Sequence, residues 1–200
     1  MTNKPDLTER IVSSQEELDA AWVGGPSLPS GPIVVADYDP AWTELYEREA
    51  ARIRDLLGAT LMSIEHVGST SVPGLAAKPV IDINLVVPDS ADETAYLLQL
   101  QSADYRLIVR EPNWHEHRLF KGPDTNINLH VFSPGCPEVI RMRVLRDWLR
   151  KHRDDRDLYA RTKKSLADGR LDDIRVYTTA KDAIIDEIYG RALPHYLGSA

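Results

Sequence analysis

Two short groups of residues have the types and spacing for chemistry: Gly68-Ser69-Thr70 and Asp82-Ile83-Asn84. Glycine lets a backbone approach a phosphate closely, and small hydroxyls beside exposed N–H groups supply donors for an anion. The plain alternative for the first group is a tight strand-to-helix turn with Ser69 or Thr70 as N-cap. Residues 80–87 are apolar apart from Asp82 and Asn84, whose two-residue spacing places both on one face of a strand. An acid inside such a run must be paired, hydrated or coordinating something. Asn128 and His130 share a strand face by the same spacing. A lone strand histidine such as His66 or His130 is ordinarily a hydrogen-bonded core residue; as ligands, the two with Asp82 would suit zinc, iron or nickel better than magnesium. Glu116, in Trp114-His-Glu-His-Arg118, is a second acid able to swing toward Asp82, and the Arg118 guanidinium suits a phosphate or carboxylate held through two bonds.

The pattern around these residues predicts the elements that position them. Thr60–Val67 alternates, with Met62, Ile64 and His66 on one face and Ser63 and Glu65 on the other, and it runs into the glycine turn with a short helix expected near Val72. Residues 80–87 then return as a central strand lying beside it. Upstream, Ile33–Ala36 reads as a strand, and Asp39-Pro40 opens a helix through Trp42, Leu45, Tyr46, Ile53, Leu56 and Leu57 that Gly58 ends. Downstream come a helix over 91–101, a strand over 105–109, and a hairpin of 117–121 with 125–132 turning at Gly122-Pro-Asp. From Pro137 onward three helices follow, marked by Val144, Leu145, Trp148 and Leu149, by Leu158, Tyr159 and Leu166, and by Ile174, Tyr177, Ile184, Ile185 and Ile188. The expected class is α+β: one domain over 33–190 with a sheet part (33–135) and a helical part (136–190), preceded by an arm (1–32) and followed by a tail (191–200). The arm comprises a short helix begun by Ser14-Gln-Glu-Glu17 and a Gly/Pro/Ser linker.

Composition narrows the function. One cysteine, Cys136, excludes an internal disulfide and points to a reducing compartment. No apolar run approaches the roughly 20 residues of a membrane span, and the N-terminus lacks a charged-then-apolar signal pattern, so a cytoplasmic location with no membrane partner is expected. The formal net charge is −7, yet residues 138–170 carry 11 of the 24 Lys and Arg against 6 of the 31 acids. Arg143, Arg146, Arg150 and Arg153 fall on one side of a helix, opposite its apolar positions. An acidic chain with little aromatic interleaving in this stretch is not expected to bind nucleic acid.

Gly68-Ser69, twelve intervening residues and Asp82-Ile-Asn resemble the signature of the polymerase-β-type nucleotidyltransferase superfamily. The longer string from His66-Val-Gly-Ser-Thr-Ser-Val-Pro-Gly-Leu to Lys78-Pro-Val-Ile-Asp82 is similar to the GrpB family, also found fused behind dephospho-coenzyme A kinase. The similarity continues through Asn128-Leu-His-Val131, Leu145-Arg-Asp-Trp-Leu149, Tyr159, Lys163-Lys164, Tyr177 and Lys181, covering about residues 33–190. The superfamily resemblance implies a nucleotidyltransferase-like mixed sheet and in-line nucleotidyl transfer from an NTP to a small-molecule acceptor. Metal ions in such transfer bridge phosphate oxygens and stabilise the attacking and leaving groups. By that resemblance Asp82 is the principal magnesium ligand with Asn84 assisting, His130 and Asn128 stand where a further acid belongs, and Ser69 acts at the phosphates with His66, Gly68 and Thr70. Lys78, Arg118 and Arg146 would neutralise charge, with Lys163 or Lys164, Tyr159, Tyr177 and Lys181 lining the same cleft; the remaining basic residues of 138–170 would be solvated. One carboxylate where the superfamily has three favours an alternative, a catalytically reduced module that binds a nucleotide or coenzyme A-like ligand and supports a partner enzyme.

Overall fold

The computed structural model describes residues 6–8, 11–25, 33–168 and 174–199, with side chains in the last stretch from 179 to 198. The expected linker at 24–32 lies largely outside the described residues. Six α-helices and five strands are described: α1 (Gln15–Ala20), α2 (Ala41–Leu57), β1 (Ser63–Val67), β2 (Ile81–Val86), α3 (Leu97–Ser102), β3 (Arg106–Glu111), β4 (His117–Lys121), β5 (Ile127–Phe132), α4 (Pro137–Lys151), α5 (Arg153–Asp168) and α6 (Ile174–Ser199). The strands form one mixed sheet of order β1-β2-β5-β4-β3, in which only β2 and β5 run parallel. The expected α+β class, with a mixed sheet, flanking helices and a helical C-terminal part, is therefore observed.

Alternation along β2 divides the molecule. Ile81, Ile83 and Leu85 face α2 and pack with Trp42, Tyr46, Ala50, Ile53 and Leu57, joined by Ile127, Leu129 and Val131 of β5. Asp82, Asn84 and Val86 point to the opposite face, where Val86 meets Phe132, Cys136 and Val139. A third cluster, of Val72, Leu75, Leu149, Tyr159, Ile184 and Ile188, joins the loop after Gly68 to the three C-terminal helices. The sheet's second face and that helical layer enclose the chemistry-bearing residues.

Several elements differ from the expectation. Only Ala36 of the 33–36 segment pairs, with Ala77, so the first strand is reduced to a bridge. The expected helix near Val72 is a three-residue 3-10 turn, Ser69–Ser71, closed by Val72 N donating to Ser69 O (3.2 Å). The helix expected over 91–101 splits into a 3-10 turn, Glu93–Ala95, and the short α3. The stretch after residue 190 is no loose tail: α6 continues to Ser199 and buries Ala192 and Leu193 against Leu7 and Val144. The arm docks as well. Val23 N donates to Ile108 O (3.1 Å), Arg110 N to Ala21 O (2.9 Å), and Arg141 Nη1 to Leu7 O (2.5 Å).

The β4–β5 hairpin, which delivers two site strands, is pinned from α2. Glu49 is 0% exposed and accepts hydrogen bonds from Tyr105 Oη (2.6 Å) and Thr125 Oγ1 (2.9 Å), with Arg52 3.5 Å away. Removing one member of such a buried charged set strands the others. Glu49→Ala is expected to lower stability by about 3–5 kcal/mol in urea denaturation, whereas Arg153→Ala, whose target forms an exposed pair with Asp157, changes it by less than about 1 kcal/mol.

Candidate functional site

The turn after β1 reaches the sheet through a glycine. Gly68 has φ +68°, a left-handed value, and a Cβ built there would fall 2.9 Å from the Asp82 Cβ and closer still to its carboxylate. The Ser69–Ser71 turn is fixed by Ser71 Oγ donating to Gly68 O (2.6 Å) and by the Arg150 guanidinium, which donates twice to Ser71 O (3.1 and 2.7 Å).

Asp82 anchors the floor. The β2–β5 register sets Asp82 beside Asn128 and Asn84 beside His130, and the β4–β5 register brings Lys121 next to Asn128. Lys121 Nζ donates to Asn128 Oδ1 (2.6 Å), and Asn128 Nδ2 donates to Asp82 Oδ1 (2.8 Å), so the amide passes the lysine's polarisation to the carboxylate. His130 Nε2 lies 3.7 Å from the same oxygen. Burial would raise the Asp82 carboxyl, but His130, Asn128 and the nearby Lys181 outweigh it and hold it below the usual carboxylate value. Asn84 is 2% exposed, and neither atom of its amide has a hydrogen-bond partner. A buried amide in that state has unused capacity for a ligand's donor and acceptor groups.

The roof is built from lysines. Lys163 of α5 donates from Nζ to Ser69 Oγ (2.8 Å), is 2% exposed and holds its amine 4.3 Å from the centre of the Tyr159 ring. Burial, with repulsion from Lys181, pushes Lys163 down to about 6 despite the attraction of Asp82. Lys181 of α6 is held above its usual value by the Tyr159 phenol beside it, against the effect of burial. Lys78 and Lys121 are half-buried and both lowered by burial, with Asp82 opposing the shift in each case. Four lysines from four parts of the chain therefore act on one carboxylate.

A chain of rings leads away from it. His117 Nδ1 lies 2.6 Å from Glu111 Oε2, and His117 Nε2 lies 3.0 Å from His130 Nδ1. Burial pushes His117 down to about 4, so its one ring proton belongs on Nδ1, facing Glu111. His117 Nε2 then accepts from His130 Nδ1, which leaves His130 Nε2 as the atom directed at Asp82.

The structure thus brings Gly68, Ser69, Lys78, Asp82, Asn84, Asn128, His130, Tyr159, Lys163 and Lys181 together and separates the other expected members. His66 lies on the α2 face, stacked on Tyr46 at 4.7 Å; burial lowers it to about 4, and Nε2 donates to Thr70 Oγ1 (3.1 Å), whose own proton goes to Val80 O. Strand alternation thus separates His66 from Asp82 and removes the His66–His130–Asp82 metal set, and it makes Thr70 a structural link. Among the described residues no group of three or more His, Cys, Asp or Glu is placed to hold a metal. Arg118 also faces α2, is 7% exposed, and is committed to Glu93 Oε1 (2.6 Å) together with Arg110. Glu116 lies beyond the far end of β4, exposed, with its carbonyl accepting from Arg118. Lys164 points outward to Asp37 (2.6 Å).

The basic face of α4 is not a solvated patch. Arg143 and Arg146 both bond to Glu65, Arg146 also donates to His66 O (3.0 Å), and Arg150 braces the turn. Arg146 therefore holds α4 to β1 instead of lining the lysine cluster. The side chain of Tyr177 lies outside the described residues. Lys121 was missing from the sequence-based set because a turn at 122–124 sets it opposite Thr125 and sets Arg118 opposite Asn128, whereas the observed register pairs Lys121 with Asn128 and Arg118 with Val131. For Glu111 and His117 no sequence signal was present.

Two outcomes follow from this geometry. Gly68→Ala forces a left-handed alanine against Asp82 and is expected to cost about 1–3 kcal/mol of stability in urea denaturation. Lys163 loses its proton above about pH 6 when folded, against its usual 10.5 when unfolded, so within that window the unfolded chain binds the extra proton and stability rises with pH. Relative to Lys163→Met, the wild-type chain is expected to gain about 1 kcal/mol per pH unit between pH 7 and 9.

Residues 32–191 match the family model described as GrpB protein. The chain is 53% identical to a UPF0157 protein of Halalkalibacterium halodurans over 94% of its own length and 96% of that relative's. A dephospho-CoA kinase of Mycolicibacterium paratuberculosis is 28% identical over 92% of this chain, which spans 50% of the kinase. The crystal structure of conserved protein GrpB from Enterococcus faecalis superposes with a TM-score of 0.73 at 34% identity, covering 82% of this chain and 99% of that one. A glycine turn laid against a strand aspartate, with the family model matched across sheet and helices alike, makes this chain a member of the GrpB family.

Proposed function

We propose that this protein binds the polyphosphate of a nucleoside triphosphate between Asp82 and the lysine cluster and transfers a nucleotidyl group to a small hydroxyl-bearing acceptor. The observation that carries the reading is the distribution of charge: among the described residues Lys78, Lys121 and Lys181 bear on the Asp82 carboxylate, beside Lys163, which is neutral above about pH 6. Buried positive charge in excess calls for a small polyanion. Magnesium fits on donor chemistry, since it favours hard oxygen and is commonly held by one or two carboxylates plus substrate phosphates. Asp82 would hold it, with the unpartnered Asn84 amide offering a neutral oxygen. Bound there, the ion would supply charge stabilisation on the phosphate oxygens. The residues themselves orient the chain of phosphates: Ser69 and Lys163 from one side, Lys121 through Asn128 from the other.

Asn84 and Asn128 support a second reading. Both are neutral where they flank Asp82, as in a module that holds a nucleotide or coenzyme A-like ligand without turnover and assists a partner such as the kinases that share this domain. Chromatography of products formed from NTPs and a panel of small alcohols separates the two: nucleotidyl transfer lost in Asp82→Asn excludes the second.

Calorimetry with ATP, GTP, CTP and UTP tests their common ground. Lys121→Met and Lys181→Met are each expected to weaken binding about 10- to 100-fold, with affinity falling as salt rises. Asp82→Asn is expected to abolish the benefit of magnesium and to tighten metal-free binding, because it removes the carboxylate that the four lysines act on. Wild-type protein without saturable NTP binding overturns the reading.

A further inference from the structure

The four lysines are not equivalent. Lys78, Lys121 and Lys181 are half-buried, whereas Lys163 is almost wholly enclosed, with its amine over the Tyr159 ring and against the hydroxyl of half-buried Ser69. A lysine in that position touches the serine oxygen in preference to the space in front of it. We propose that Ser69 and Lys163 form a nucleophile and general-base pair, in which Ser69 Oγ accepts the nucleotidyl group from the substrate before it reaches the acceptor. The substrate class rests on the function proposed above; the pairing rests on the 2.8 Å contact between Lys163 Nζ and Ser69 Oγ.

In the first step the Ser69 Oγ–Pα bond forms and the bond from Pα to the β-phosphate oxygen breaks, with pyrophosphate leaving on that electron pair. The Oγ proton moves to Lys163 Nζ. In the second step the acceptor oxygen bonds to Pα, Ser69 Oγ leaves and recovers its proton from Lys163, and the acceptor's proton passes to solvent. Hydrogen-bond reach between nucleophile and base is the geometric requirement, and a neutral amine is the chemical one. Burial supplies the second, since it brings Lys163 down to about 6. The groups facing that amine all bear on it: Lys181 from α6 favours the neutral form, Asp82 from β2 opposes it, and Tyr159 on α5 and Ser69 on the turn contact it. When the amine takes the serine proton, the new ammonium lies beside the phosphate charge it must stabilise.

Two labels test the pair on the intact chain. With magnesium and α-32P-labelled ATP, GTP, CTP and UTP in turn, an acid-stable nucleotidyl adduct is expected on Ser69 by peptide mass spectrometry, and none is expected in Ser69→Ala. With a fluorophosphonate, a phosphorus electrophile that needs no nucleotide site, Ser69 is expected to label at a rate that rises through about pH 6 and then levels. That rate is expected to fall 100-fold or more in Lys163→Met, whose circular dichroism and urea midpoint report its fold. Fluorophosphonate labelling equal in Lys163→Met, or absent from wild-type Ser69, overturns the pair. NTP binding without a Ser69 adduct overturns the covalent route while leaving the proposed function intact; failure to bind any NTP overturns that function instead.

Discussion

A carboxylate within a buried strand face is tolerated only if its surroundings supply what water would have supplied. Asp82 meets that condition with Asn128, His130 and the lysines, and much of the architecture serves to deliver them. Parallel pairing of β2 with β5 aligns Asp82 with Asn128, and the hairpin pinned by Glu49 brings Lys121 to the amide. Helices α5 and α6 contribute the lysines that close the opposite side. The glycine at 68 is part of the same solution, because any side chain there would occupy the carboxylate's place.

The basic residues divide by chemistry. Arginines are spent on protein groups: Arg143 and Arg146 on Glu65, Arg150 on the Ser71 carbonyl, Arg118 and Arg110 on Glu93. Their planar, multiply donating heads suit fixed acceptors, and here they fasten helices and turns to the sheet. Lysines gather at Asp82, where a compact ammonium can lose or regain its proton as its surroundings change. The charge-rich segment 138–170 thus serves two purposes, with α4 bracing the turn and α5 contributing one amine to the site.

Period-two alternation in residues 80–87 and 127–132 made the two faces of the central strands legible, and with them the pairing of Asp82, Asn84, Asn128 and His130 on one side. The same rule, applied across the β1–β2 pairing, puts His66 behind the sheet, yet its placement in a continuous motif string obscured this. Arg118 and Lys164 were misassigned for a different reason. Sequence shows that a cation is present but not which acid will reach it first, and Glu93 and Asp37 lie 25 and 127 residues away. The helix expected at Val72 failed because a glycine turn held by Ser71 Oγ and Arg150 satisfies its backbone in three residues. Of two adjacent lysines, 163 and 164, helical geometry sends one inward and the other to solvent, a distinction set by the rotation of α5 against Val72 and Leu75.

The arm that precedes the matched domain bears on how the molecule meets its neighbours. β3 ends the sheet, and an exposed strand edge is a template on which other chains can add. Ala21, Trp22 and Val23 lie along that edge through two backbone hydrogen bonds, while Leu7 is fastened at α4 and α6. The chain therefore covers part of its own sheet edge, and the segment that looked most dispensable for chemistry lies where a further strand would add.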